Sequence, residues 1–328
     1  MSLFIFSPHA ERSRHLATQE PIMKISKKLV RSFIFASLAS VAFLTRPLPW
    51  KWGIRFGGFI GALFYYSLRR ERAKSLEGLR IAFGADKPER ELHHILKKSF
   101  QNLGKGLIEI LKFETLKPDQ IESLITIEGE EYLQEAEDEG NGTILITGHI
   151  GNWELMAAAL SLRGYPLHVI AAPLYDPRID EWIVRLRSRF QVETISRGSP
   201  SSSKKILGVL RKKAVLGLLI DQDTKVNGVF VNFFNKKAYT PAGAAELALR
   251  SGAATMMCFV TRLPNDRHRI TIEKPMTLMQ SAEHAKDVEI NTARFTSRIE
   301  EHIKQYPDQW VWMHRRWKTK PEKNVQAE

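Results

Sequence analysis

The chain has one cysteine, Cys258, in 328 residues, so it can form no internal disulfide and suits a reducing compartment. Cys258 sits in the apolar run 254–260, where a free thiol packs as a small hydrophobe; it is expected in the core and not as a nucleophile. Gly-x-Ser-x-Gly, Gly-x4-Gly-Lys-Ser/Thr and His-Glu-x-x-His are all missing, which removes support for a serine hydrolase, a P-loop nucleotidase and a zinc protease. His93 and His94 fall on a helical pattern with no second ligand at zinc spacing, so they are read as surface residues. No metal and no cofactor is expected.

Acids are scarce near the N-terminus. Residues 24–74 hold eleven Lys or Arg and one acid, Glu71, and so carry most of the net charge of +13. These cations flank two uncharged runs, 32–45 and 56–68, which is the pattern of a membrane-facing segment; a diffuse basic surface would suggest nucleic acid, and none is expected. At about 1.5 Å per residue each run falls short of a hydrocarbon core of roughly 30 Å. Basic residues on both sides of both runs favour two shallow helices joined at Pro47-Leu-Pro49-Trp-Lys-Trp52 over two full spans. Bulky residues after the first run argue against a cleaved signal peptide. The chain therefore divides into a disordered extension (1–22), a membrane anchor or helical hairpin (23–74), a catalytic domain (75–320) and a short tail (321–328).

The segment Thr143-Ile-Leu-Ile-Thr-Gly-His149-Ile-Gly-Asn-Trp-Glu154 carries most of the chemistry. Its β-prone residues form a buried strand that ends at His149, and Gly151 and Asn152 let the chain turn back before a helix over 153–162. That return can bring the Glu154 carboxylate to one imidazole nitrogen of His149. Such a carboxylate fixes the tautomer and suits the other nitrogen for general-base work on a hydroxyl. A plainer reading has His149 satisfied at a strand end and Glu154 on the helix dipole.

From 143 onward the pattern alternates. Strands read at 143–147, 167–171, 191–195 and 215–220, and helices at 153–162, 178–189, 203–213 and 241–250. Later strands at 254–261 and 269–273 and a helix at 286–305 follow a leading helix at 89–113 and a short strand at 125–127. Near-continuous apolar strands between amphipathic helices predict an α/β fold, a mostly parallel central sheet covered on both faces. Chemistry in such sheets sits beyond the carboxyl ends of the strands, and Asp221 and Asp223 follow the strand at 215–220. Either could replace Glu154 as the partner of His149; motif spacing favours Glu154.

The pattern His-x4-Asp/Glu after a buried strand resembles the glycerolipid acyltransferase superfamily. Gly-Asn-Trp-Glu makes this version similar to the lipid A lauroyl/myristoyl acyltransferase branch. Gly217-Leu-Leu-Ile-Asp221-Gln-Asp223, Val229-Phe-Val-Asn-Phe-Phe-Asn235, Ala238-Tyr-Thr-Pro-Ala-Gly243 and Trp310-Val-Trp312-Met-His314-Arg315-Arg316-Trp317 agree with that branch in order, over roughly residues 46–318. Two positions depart from it, with Gln191 and Asn235 where the family usually has Gly. The Phe-Pro-Glu-Gly-Thr block of the glycerol-phosphate acyltransferases is missing, which the resemblance turns into a preference for a saccharolipid acceptor.

The resemblance implies a membrane-associated O-acyltransferase in lipopolysaccharide synthesis. Its donor would be acyl carrier protein or acyl-CoA, and its acceptor a phosphorylated glycolipid, a lipid A precursor such as Kdo2-lipid IVA. It would lie at the inner membrane with the catalytic domain facing the cytoplasm. His149 is the expected base and Glu154 its partner, with backbone N–H groups of 148–151 as oxyanion donors. Arg187, Arg197, Arg315 and Arg316 are the expected cations for acceptor phosphates. Acylation of another glycolipid or a lysophospholipid, or a non-catalytic lipid-binding module on the same fold, are the alternatives.

Overall fold

The computed structural model describes residues 28–199 and 201–321. The extension at 1–22 lies outside them.

Helix α1 (Lys28–Thr45) is the one helix among the described residues long and apolar enough to cross a membrane. The second apolar run behaves differently. It lies in α2 (Trp50–Ser67), which is followed by α3 (Arg69–Phe83) and α4 (Glu89–Lys112). Glycines let α2 and α4 touch backbone to backbone: a Cβ on Gly57 would lie 2.5 Å from the carbonyl oxygen of Gly104, and one on Gly61 2.1 Å from that of Phe100. One face of α2 is thus fixed to the domain, while Trp52, Phe59 and Leu63 on the other are exposed. Helix α1 extends beyond the uncharged run at 32–45 to 18 residues by taking in the flanking residues 28–31. The turn between α1 and α2 is pinned by Lys112, whose Nζ donates 2.8 Å bonds to the carbonyls of Thr45 and Leu48. Burial lowers the Lys112 pKa.

After α5 (Pro118–Ser123), β1 (Ile125–Glu128) and α6 (Glu130–Glu139), the alternating unit begins. It runs β2 (Thr143–Thr147), α7 (Trp153–Leu162), β3 (Leu167–Ala171), α8 (Pro177–Arg189), β4 (Glu193–Ser196), α9 (Ser202–Arg211) and β5 (Val215–Leu219). A hairpin of β6 (Gly228–Phe233) and β7 (Lys236–Pro241) follows, then α10 (Gly243–Ser251), β8 (Ala254–Arg262), β9 (His268–Ile272) and α11 (His284–Gln305). The α/β fold with its mostly parallel sheet is as the alternation predicted. Seven strands stand in the order β1-β9-β8-β2-β5-β3-β4, and only the β8–β9 pair is antiparallel. Two apolar cores cover the two faces. One packs α7 and α8 against Leu145, Val215 and Met256; the other packs α9, α10 and α11 against Ile146, Leu216 and Met257. Strand alternation explains the division, since successive side chains point to opposite faces.

The stretch 229–243, predicted in part as helix, is the β6–β7 hairpin, and the helix starts only at Gly243. Its turn holds Phe234 and Asn235 at φ 50° and 56°. Gln191 likewise sits at φ 60°. Both departures from the family's glycines therefore occupy left-handed backbone, the conformation in which glycine costs least. Asn tolerates it by local hydrogen bonding, and Gln less well.

Candidate active site

Register decides which carboxylate meets His149. Strands β2 and β5 are adjacent and parallel, with Thr147 opposite Leu219 as their last pair. His149 and Asp221 each lie two residues further on. Paired strands are roughly 4.8 Å apart, so equal overshoot delivers the two side chains to one point. The His149 Nδ1–Asp221 Oδ1 distance is 2.7 Å. Asp221 Oδ2 accepts two more bonds of 2.7 Å, from the His149 backbone N–H and the Trp310 indole.

Asp221 is fully buried. Burial alone would raise its pKa, but the charge of His149 and the bonds from His149 and Trp310 outweigh that and hold the carboxyl at about 2. An ionised carboxylate only accepts, so Nδ1 carries the proton and Nε2 is left as the basic nitrogen. The ring of Trp153 meets the imidazole edge-on, 5.0 Å between centroids.

Glu154 does not take the expected place. Its carboxylate pairs with Arg187 through bonds of 2.8 Å to Nε and 2.6 Å to Nη2. The physical reason lies in the turn. Asn152 caps α7 by accepting the Leu155 N–H, so Glu154 stands on the second residue of the helix and reaches across to α8 instead of back to the strand end. Arg187 is correspondingly occupied, and its two forward-facing donors serve Glu154 in place of an acceptor phosphate. Burial lowers the Arg187 pKa, and Glu154 more than restores it. Asp223, the other alternative, is turned away from His149. It accepts the backbone N–H of Thr319 at 2.9 Å and its hydroxyl at 3.0 Å, and so fastens the C-terminal segment.

The four expected phosphate cations separate. Arg316 is 1% exposed and donates to the Tyr239 carbonyl at 2.6 Å and to the Thr240 hydroxyl, bracing the β6–β7 hairpin. It cannot reach a ligand without leaving that site. Burial depresses its pKa to about 10. Arg315 and Arg197 are exposed, and Arg197 lines the cavity described below. Three of the four expected oxyanion donors are also committed: His149 N–H to Asp221, Ile150 N–H to Gly148 and Gly151 N–H to Gln309. Among the described residues the N–H groups of Trp153 and Glu154, which open α7, have no acceptor.

Two supports escaped the sequence reading. The first is the segment 309–311, which runs beside the His149 turn: Gly151 N–H bonds to the Gln309 carbonyl at 2.9 Å, and Val311 N–H to that of His149 at 3.2 Å. Gly151 is at φ 59°, and a Cβ there would fall 2.3 Å from the Val260 carbonyl oxygen, so the turn requires glycine. The second is Glu109 on α4. Its carboxylate takes both Nη groups of Arg262 at 2.6 and 2.7 Å, His268 Nε2 at 3.0 Å and Asn152 Nδ2 at 2.7 Å. Burial disfavours its charge, but His268 and Arg262 override this and leave the pKa well below the ordinary carboxylate range. Through Asn152 this buried pair fixes the start of α7. A carboxylate in phase with the apolar face of a helix was the available signal.

His149, Glu154 and Arg187 all line a cavity of about 1000 Å³. It exists because the sheet parts. Strands β3 and β5 pair only as far as Val169 opposite Gly217, while β5 continues beside β2 and β3 beside β4. Apolar side chains wall the space on both faces of the gap, among them Met156 and Leu160 on the α7 side, and Ile206 and Leu247 on α9 and α10. A half-buried base beside a long apolar space suits chemistry at the polar end of a hydrocarbon chain.

Known proteins resemble this chain over most of its length. The chain is 26% identical to the lipid A biosynthesis palmitoleoyltransferase of Escherichia coli (strain K12) over 285 residues, covering 86% of this chain and 90% of that protein. It is equally similar to that organism's lipid A biosynthesis lauroyltransferase, at 26% over 287 residues with the same coverage. A phosphatidylinositol mannoside acyltransferase of Mycobacterium tuberculosis (strain CDC 1551 / Oshkosh) is 26% identical over 162 residues, 48% of this chain and 51% of that protein. The model of the bacterial lipid A biosynthesis acyltransferases matches residues 21–319, and the chain belongs to that family of acyltransferases.

Proposed function

We propose that this acyltransferase moves a fatty acyl chain from a thioester donor, acyl carrier protein or acyl-CoA, to a hydroxyl of a lipid A precursor. The observation that carries the reading is the Asp221–His149 pair beside an apolar cavity. His149 Nε2 takes the proton of the acceptor hydroxyl, whose oxygen attacks the thioester carbonyl. The resulting oxyanion lies at the start of α7, where the free N–H groups of Trp153 and Glu154 and the helix dipole favour negative charge. Collapse breaks the C–S bond, and the departing thiolate recovers the proton from the imidazolium. The thioester is already activated, so no acyl-enzyme is needed.

Asp221 holds the Nδ1 proton and stabilises the imidazolium, and the Glu154–Arg187 pair keeps a polar wall beside it. Helix α1 anchors the enzyme at the inner membrane, with the catalytic domain in the cytoplasm. Arg197 and Arg315 are the exposed cations left for acceptor phosphates. Mass spectrometry of lipid A from cells lacking the protein tests the reading. One secondary acyl chain should be missing, and should return with the wild-type gene but not with His149→Ala. Unchanged lipid A with altered phospholipids or other glycolipids would refute the acceptor; full complementation by His149→Ala would refute the mechanism.

A further inference from the structure

The cavity's lining includes exposed apolar residues at two places with different surroundings. On the α8 side its lining includes Leu174, 47% exposed, next to Tyr175, 63% exposed. Helix α1 lies against this side: the Arg31 guanidinium stacks 3.7 Å from the Tyr175 ring centroid, and Phe35 packs on Trp182. On the other face α9 contributes Ser203, Ile206 and Leu207 to the wall, and Leu207 is 40% exposed.

Helix α9 is basic beside that wall. Lys204, Lys205, Arg211 and Lys212 are all exposed, residues 201–213 contain no acid, and none of the four cations pairs with a carboxylate among the described residues. Helical spacing sets Lys204, Leu207 and Arg211 on one stripe, so an apolar contact point lies between two cations at the cavity edge.

We propose that the exposed face of α9 is the docking surface for the donor's protein carrier, an acidic acyl carrier protein, which delivers its thioester-bound chain past Leu207 while the glycolipid enters beside α1. The inference rests on the function proposed above and adds where the donor binds. The four free cations match an acidic helix, and Leu207 offers it an apolar anchor. Unpaired exposed charge of one sign mainly speeds encounter, which is what a carrier that must load and leave repeatedly requires.

The full-length enzyme in lipid nanodiscs tests this with the double variant Lys204→Glu/Arg211→Glu. Acyl-ACP and the uncharged donor acyl-pantetheine are compared at several salt concentrations. With the carrier, kcat/KM should fall roughly tenfold or more at low salt, and the gap should narrow as screening sets in over a Debye length of about 8–10 Å. Turnover of acyl-pantetheine and the acceptor KM should not change. The milder Lys204→Ala/Arg211→Ala should show the same selectivity with a smaller loss, which separates docking from a folding defect. Equal losses with both donors in both variants, or carrier kinetics like wild type, would overturn the inference and leave the proposed function standing. A wild-type enzyme that transfers from no thioester would instead refute the function itself.

Discussion

Replacing Asp221 by Asn isolates the contact that register builds. The carboxylate accepts three bonds, from the His149 N–H, the Trp310 indole and His149 Nδ1. An amide of the same shape has one acceptor oxygen. The backbone N–H and the indole both use Oδ2, so the amide oxygen stays there and the amide NH2 faces Nδ1. Two donors cannot share that contact, so the imidazole moves its proton to Nε2 and the base facing the cavity is lost. General-base assistance is worth roughly 10²–10⁴-fold, about 3–5.5 kcal/mol in the barrier. We expect Asp221→Asn to lower kcat by that range, with little change in acceptor KM and an unaltered cavity. The assay is acyl transfer to purified acceptor followed by mass spectrometry, with the melting temperature as a control for folding. A folded Asp221→Asn enzyme keeping more than about a tenth of wild-type kcat would refute the assignment, most sharply if Glu154→Gln lost its pH-dependent turnover instead.

Three further outcomes follow from the same contacts. Arg316→Ala should destabilise the protein by about 2–4 kcal/mol in denaturant titration, because it strips buried bonds from the β6–β7 hairpin, while exposed Arg315→Ala should change stability by less than about 0.5 kcal/mol. Glu109→Gln should cost about 3–5 kcal/mol, since it removes the bidentate partner of buried Arg262 and leaves it only the more distant Asp266 at 3.6 Å, and activity should fall with it as the start of α7 loosens. Stability should also drop on acidification from pH 6.5 to 4. Burial first, then Arg269 and Arg298 for His302 and Lys318 for His314, hold both imidazoles at about 4, below the unfolded 6.5, so the unfolded chain binds more protons in that window and stability rises with pH there. Replacing His302 by Asn should flatten the slope in melting temperature over those two and a half units.

The strand–helix alternation was legible because the central strands β2, β5 and β8 are largely buried on both faces while helices such as α8 and α9 are buried on one, which writes different periods into the chain. The base was legible for the same reason, since a strand ending in Gly-His must present the histidine at the sheet edge. Its partner was not. Spacing within one segment favoured Glu154, whereas the choice depended on which strand lies beside β2. That neighbour is β5, about seventy residues away, and adjacency in a parallel sheet leaves no local mark. Arg316 misled in a similar way: beside Arg315 and Lys318 it reads as part of a surface cluster, but it stacks on the Phe233 ring and donates to the Tyr239 carbonyl and the Thr240 hydroxyl of the hairpin. Glu109 was hidden because its partners come from three separate elements. The apolar run in α2 concealed its function until the glycine contacts with α4 showed that only one of its faces is free.

The same contacts explain why the C-terminal tryptophan segment belongs to the site. Trp310 donates to Asp221, Gln309 and Val311 bind the turn around His149, and Asp223 grips Thr319. These bonds close only after α11 has packed on β8 and the chain has returned past the sheet. A buried anionic Asp221 is costly until both the imidazole and the indole are in place, so the ionised dyad and the docked C-terminal segment stabilise one another. Loss of the Trp310 indole N–H, as in Trp310→Phe, should therefore raise the Asp221 pKa and weaken the hold on His149 while keeping most of the ring's packing. The measurable consequence is a lower kcat with little change in acceptor KM and a melting temperature close to wild type. A wild-type kcat with a lowered melting temperature would assign Trp310 to packing alone.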